Sequence, residues 1–138
     1  MRLSIDTSAL VKRYVAFQGG AEVQTLFEQA SSVHIAHHCR VEMHSAFNRM
    51  RLTRQITPSV YRACLAEFEH ELADFDVSPW TPEIETDALA LLVGSNLRAM
   101  DALHIAAAHA VQAERFVTSD ERQWQAAKRA KLNSIYIA

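Results

Sequence analysis

The residues in this sequence best suited to chemistry are four carboxylates outside its most acidic stretch. Asp6 directly follows the apolar run Leu3 to Ile5, and Asp120 comes two residues after Phe116 to Thr118. Asp101 opens a stretch that is alanine-rich and apolar nearly all round, and Glu42 flanks the apolar stripe of Met43, Ala46, Phe47 and Met50. Each has an ordinary structural use. Asp6 could cap a helix, and Asp120 could do so with Gln123 completing a capping box; Asp101 could face a helix dipole, and Glu42 could stand in solvent near Arg49. The joint reading differs from the separate ones, because four carboxylates gathered at one edge of a sheet repel one another unless cations neutralise them. A cluster of this kind implies a metal. Oxygen ligands without thiolates select a hard cation, Mg2+ or Mn2+, over zinc.

The elements that must position these groups alternate between short β-rich runs and longer helical ones, with no repeat and no linker. Strands are expected at Leu3–Ile5, Val33–Ala36, Phe116–Thr118 and Ser134–Ile137, with a short edge strand opened by Val77 before Pro79 and Pro82 interrupt it. Helices are expected from Thr7 or Ser8, as cap, through Tyr14, with Gly19-Gly20 ending that piece; then at Ala21–Ala30, Arg40–Thr53 and Ser59–Asp74, the last with Pro58 in its first turn. Three more follow at Glu83–Val93, Asp101–Ala113 and Glu121–Ala130. This alternation predicts an α/β fold, a mainly parallel sheet of four to five short strands flanked by about seven helices. Asp6 and Asp120 then lie at carboxyl ends of strands, where open α/β sheets build their sites.

Size and composition bound the remaining possibilities. The chain has 138 residues, enough for one domain, residues 1–138, and too few for two that each bury a core. With 49% hydrophobic residues, 22% charged, three Gly and three Pro, neither disorder nor a fibrous architecture is expected. No apolar run is long enough to cross a bilayer and Met1 to Ile5 carries no signal-peptide core, so the expected address is the cytoplasm and no membrane partner is expected. Cys39 and Cys64 are read as reduced, part-buried residues. The net charge of −2 conceals an uneven distribution. Eight of the 16 carboxylates fall between Glu67 and Asp87, whereas Met43 to Ala66 holds Arg49, Arg51, Arg54 and Arg62 and no acid. One acidic and one basic surface are expected, with Arg49, Arg51 and Arg54 as candidate phosphate contacts against the alternative of a solvated helix face.

The histidines and tryptophans add less. His34, His37, His38 and Cys39 have the residue types of a zinc site, but a strand-to-helix passage would not aim all four at one point. His104 lies three residues after Asp101 on the same helical face, so it could hydrogen-bond beside the site or simply be a satisfied core histidine. Trp80 and Trp124 are isolated and form no base-stacking platform.

Four segments together resemble a known family. Ile5-Asp6-Thr7-Ser8-Ala9-Leu10-Val11-Lys12, Val41-Glu42, Leu97-Arg98-Ala99-Met100-Asp101-Ala102-Leu103-His104-Ile105-Ala106 and Phe116-Val117-Thr118-Ser119-Asp120-Glu121-Arg122 are similar, in order, to the PIN domain, specifically to VapC-type toxins. The resemblance implies a three-layer α/β/α PIN-like fold. It implies metal-binding and catalytic carboxylates at Asp6, Glu42, Asp101 and Asp120, with Thr118 as the hydroxyl beside the fourth acid. Asp6 and Asp101 are expected to be direct ligands, Glu42 and Asp120 to bind through water or to hold a second ion, and Thr118 or Ser119 to orient water or phosphate. Residues from about Gln55 to Pro82 match only in helical character.

The implied function is a Mg2+- or Mn2+-dependent endoribonuclease. The resemblance also implies a small VapB-type antitoxin, which would pass an Arg or Lys into the acidic groove and lay a helix near Leu10, Tyr14 and Phe17, and a homodimer whose paired sites share a groove. Two other readings stay open: a housekeeping PIN nuclease acting in RNA processing, and an inert PIN interaction module. A haloacid-dehalogenase-type phosphatase would need a second Asp where this chain has Ser8, and a receiver domain would need an acidic pair and a late Lys that are not evident.

Overall fold

Short segments that each contain β-branched or aromatic residues form five strands, and a computed structural model describes the whole chain, residues 1–138. The strands are β1 (Arg2–Ile5), β2 (Ser32–Ala36), β3 (Asp76–Ser78), β4 (Arg115–Thr118) and β5 (Ser134–Tyr136). They make one sheet of order β3-β2-β1-β4-β5, parallel throughout. Seven helices connect them: α1 (Thr7–Leu10), prolonged by a 3-10 turn at Val11–Arg13, α2 (Gly20–Gln29), α3 (Cys39–Leu52), α4 (Pro58–Glu71), α5 (Pro82–Leu92), α6 (Ala99–Ala110) and α7 (Glu121–Arg129). The α/β fold with a central parallel sheet and seven helices is as the sequence predicts.

Each face of the sheet buries its own core. Leu3, Ile5, Ile35 and Val117 point to one side, against Leu10 of α1, Val23 of α2, Met43 and Phe47 of α3 and Phe68 of α4. Phe116 points to the other, against Ile105 and Ala108 of α6 and Ala126 and Ala127 of α7. Helix α6 is nearly all apolar because it is covered on both sides, by the sheet and by Ile84 and Ala88 of α5. Its buried start carries Asp101 into the molecule.

Two local expectations change. The first helix begins with Asp6 as its cap, the carboxylate accepting from the Ala9 N–H, so Thr7 and Ser8 are already helical and free to reach elsewhere. Gly19 does not end that helix. It stands five residues beyond the 3-10 turn's cap, Tyr14, and introduces α2 in a left-handed conformation, φ +92°. The connectivity runs outward from β1 to β2 and β3, then returns to the opposite side of β1 for β4 and β5, so the winding reverses between β1 and β4. A crevice at the carboxyl ends of those two strands is the geometric result.

Candidate active site

Asp6 emerges from β1 and Thr118 ends the adjacent β4, so the β1–β4 pairing alone brings them together: the Asp6 N–H donates to the Val117 carbonyl at 3.0 Å. Asp6 is 4% exposed and its carboxylate is held at both oxygens. Oδ1 accepts from Ser8 Oγ (2.7 Å) and Ala9 N (3.1 Å), and Oδ2 accepts from Thr118 Oγ1 (2.5 Å). Burial raises its pKa, and His104 and these three donors only partly offset that. Thr118 Oγ1 in turn accepts from the Asp120 N–H at 3.0 Å, which ties the first acid to the fourth.

Glu42 reaches the same place from the first turn of α3. Its Oε1 accepts from Thr7 Oγ1 at 2.8 Å and contacts His104 Nε2 at 2.6 Å, with His38 Nε2 3.4 Å away. Burial alone would raise the Glu42 carboxyl, but His104 and Thr7 hold it below its ordinary value. Asp120 caps α7: Oδ1 accepts from Arg122 N (2.9 Å) and Gln123 N (3.3 Å). The expected capping box is not made, since Gln123 is buried and both polar atoms of its side chain lack a partner. Asp101 lies in the first turn of α6 and its carboxyl is raised, first by burial and then by Asp120, with Asp6 and Glu42 adding to the repulsion that His104 moderates.

All four acids line one cleft of about 270 Å³, together with Thr7, Ser8, Ser45, Arg49 and His104. No three of these acids bring their oxygens within 4.8 Å of one another; the group that does so is His38, Glu42 and His104. Oxygen donors dominate the lining, and repulsion is left to be compensated. A divalent hard cation fits such a donor set. Ser119 does not place its hydroxyl in that network, because Oγ is buried without a partner; its N–H donates to Ser8 Oγ at 2.9 Å.

Of the three candidate phosphate contacts, only Arg49 lines the cleft. Arg51 donates to Asn48 Oδ1 (2.6 Å) and lies over the Tyr61 ring, and Arg54 is exposed beyond the end of α3. The expected antitoxin-facing patch at the first helix also changes, because Leu10 and Tyr14 are core residues and only Phe17 of that set is exposed. Sequence reasoning passed over Thr7, Ser8, Ser45 and His38. Thr7 and Ser8 adjoin Asp6, but with the cap assigned to one of them, nothing local indicated that their hydroxyls would serve Glu42 and Asp6.

The sequence profile of the PIN domain family matches residues 4–129. Among solved structures, VapC20 of Mycobacterium tuberculosis, described as a sarcin-ricin loop cleaving toxin, is similar with a TM-score of 0.70 and 19% identity, over 90% of this chain and 94% of that one. VapBC2 from Rickettsia felis, bound to a DNA fragment from their promoter, gives 0.71 and 15% over the full length of both chains (100% each). FitAcB from Neisseria gonorrhoeae gives 0.69 and 11% over 96% of each. At these identities the structural likeness speaks for the fold. No curated protein matches the sequence.

Proposed function

Because the chain belongs to the PIN domain family, we propose that it is a Mg2+- or Mn2+-dependent endoribonuclease acting at the cleft of Asp6, Glu42, Asp101 and Asp120, and that it serves as the toxin of a VapBC-type toxin–antitoxin pair. The observation that carries this reading is the convergence of four carboxylates from four separate parts of the chain on the crevice between β1 and β4. No lysine lines that crevice; the nearby arginines are Arg49 among the lining residues and Arg122, whose Nε is 4.0 Å from Asp120. Asp6, Asp101, Asp120 and Glu42 would hold the cation. When bound, it lowers the pKa of water and offsets the charge that builds on the phosphate during hydrolysis.

The chain's own groups then do the positioning. Ser8, Thr118 and the Ala9 N–H fix the orientation of Asp6, so its remaining lone pairs need no reorganisation on binding. Thr7 and His104 do the same for Glu42 Oε1. Asp120 spends Oδ1 on the α7 cap and keeps Oδ2 for the cleft, while Asp101 has no hydrogen-bond partner and responds most freely to a cation. Arg49 can pair with a phosphate of the incoming strand and set its register.

An antitoxin is the second half of the proposal. A cleft of four carboxylates attracts an Arg or Lys side chain from a partner, which would occupy the cation's place and block hydrolysis. A homodimer is proposed with it. The test is 5′-end mapping of total RNA after brief induction, comparing this chain with its Asp6→Asn form, together with co-purification of the adjacent small reading frame's product. New, discrete 5′ ends from the wild type alone, and relief of growth arrest by that product, are expected. Harmless expression favours the inert module, and toxicity untouched by the product favours a housekeeping nuclease.

A further inference from the structure

One wall of the acidic cleft is shared with a second, tighter cluster. His38 precedes α3, Glu42 lies one turn further on, and His104 comes across from α6; each offers a ligand atom, and all three atoms lie within 4.8 Å of one another. We propose that His38, Glu42 and His104 form a binding site for a transition-metal cation of the Zn2+ class, adjoining the oxygen-lined site proposed for Mg2+ or Mn2+ and sharing Glu42 with it.

The spacing suits such an ion. Zinc bonds to nitrogen and oxygen of about 2.0–2.2 Å place two ligands of a tetrahedral ion roughly 3.3 Å apart. His38 Nε2 stands 3.4 Å from Glu42 Oε1. His104 Nε2 and Glu42 Oε1, at 2.6 Å, are hydrogen-bonded and would have to part by less than about 1 Å, the cation taking the place of the ring proton. The two rings lie against each other with centroids 4.3 Å apart.

His38 is set up as a ligand by the groups around it. Its Nε2 is buried and has no hydrogen-bond partner, although it stands 3.4 Å from Glu42 Oε1. A buried ring nitrogen thus lies beside a carboxylate oxygen with no hydrogen bond made between them. A cation between them would give both atoms a partner. Two imidazoles and one carboxylate favour Zn2+, Co2+ or Ni2+ over Mg2+, and three protein ligands leave a fourth position open. The histidine and cysteine residues that merely neighbour one another in sequence are used otherwise: His34 Nε2 contacts Ser32 Oγ at 2.8 Å, Cys39 contacts Thr7, and His37 is exposed.

The site stands whether or not the cleft cuts RNA, and its test needs no substrate. Chelator-stripped full-length protein is titrated with Zn2+ in competition with a chromophoric chelator, and separately with Co2+ while visible absorption is recorded. One Zn2+ per chain is expected, weakened about tenfold or more in His38→Gln and in Glu42→Gln, and changed little in His37→Ala and Asp101→Asn. Co2+ should give visible bands that disappear in His38→Gln, and millimolar Mg2+ should not displace Zn2+. Should the histidine variant fail to fold, Glu42→Gln is read against Asp101→Asn: loss of Zn2+ in the first with retention in the second is expected, and loss in both would overturn the proposal. Unchanged Zn2+ affinity in both variants would overturn the proposal. So would loss of binding in Asp101→Asn with retention in His38→Gln, which would place the zinc in the acidic cleft.

Discussion

Asp101 and Asp120 both stand at the start of helices, yet they have different tasks, and substitutions separate them. Asp120 accepts from two N–H groups of α7, so Asp120→Ala should cost about 1 kcal/mol of stability while Asp120→Asn, still a good cap, should leave the melting temperature nearly unchanged. Both should lose metal-dependent activity. Asp101 caps nothing by its side chain, and its carboxyl is raised by burial and by Asp120. A raised acid binds more protons folded than unfolded, so its ionisation weakens the fold as pH climbs from its ordinary value of 3.8 through the folded one. In EDTA, Asp101→Asn should therefore melt a few degrees higher than wild type, an effect on the order of 1 kcal/mol or less for a half-buried group. Equal melting points in EDTA at pH 7 would show that the repulsion is already relieved by other means. The four acids were legible in the sequence because Asp6 and Asp120 follow strands, Asp101 opens an apolar helix and Glu42 flanks an apolar stripe. The bond from His104 to Glu42 was legible only as far as the Asp101–His104 spacing, since a contact across 62 residues leaves no local pattern.

At the scale of elements, boundaries marked by special residues were the readable ones. Pro58 was read in the first turn of α4, where Thr57 supplies the side-chain cap; Thr81-Pro82 opens α5 in the same way, although Pro82 was read there only as interrupting the strand. Gly19 misled because a glycine pair signals a break without saying which helix it serves. Its role is fixed by a tertiary contact: a Cβ there would lie 2.5 Å from Ile137 Cγ2 and 2.8 Å from the Ala138 carbonyl oxygen, in a backbone of φ +92°. Gly19→Ala should therefore destabilise by roughly 2 kcal/mol or more. At Gly94, φ +73° with nothing within 4 Å of the Cβ, the same change should cost only about 1 kcal/mol of backbone strain. Urea unfolding of the two variants distinguishes these outcomes, and equal losses would mean that the chain end yields to the added methyl group. Strand order was not readable either, because the return of β4 to the far side of β1 depends on which face α5 and α6 cover.

Over the whole molecule, part of the uneven charge of the sequence becomes pairing between segments. Glu69 binds Arg40 and His44, Glu71 binds Arg13 and Tyr14, and Asp87 binds His109, so these three of the eight carboxylates of the acidic stretch are answered by groups from other segments. Burial would raise Glu71, but Arg13 and Tyr14 hold it below its ordinary value of 4.5, and that stabilisation should be lost as pH falls through its folded pKa. What remains for RNA is local. Arg49→Ala should weaken RNA binding and lower the salt slope by about 1, whereas Arg51→Ala should change it little, since that guanidinium is engaged with Asn48 and Tyr61. Equal effects would place the strand along the outer face of α3. The central claim, that this cleft is a metal-dependent nuclease centre, is tested most directly by incubating an end-labelled RNA with EDTA-stripped protein and restoring Mg2+ or Mn2+, with Asp101→Asn in parallel. Cleavage should return only with the divalent ion and only in the wild type; cleavage that persists in excess EDTA, or that Asp101→Asn performs equally well, would contradict it.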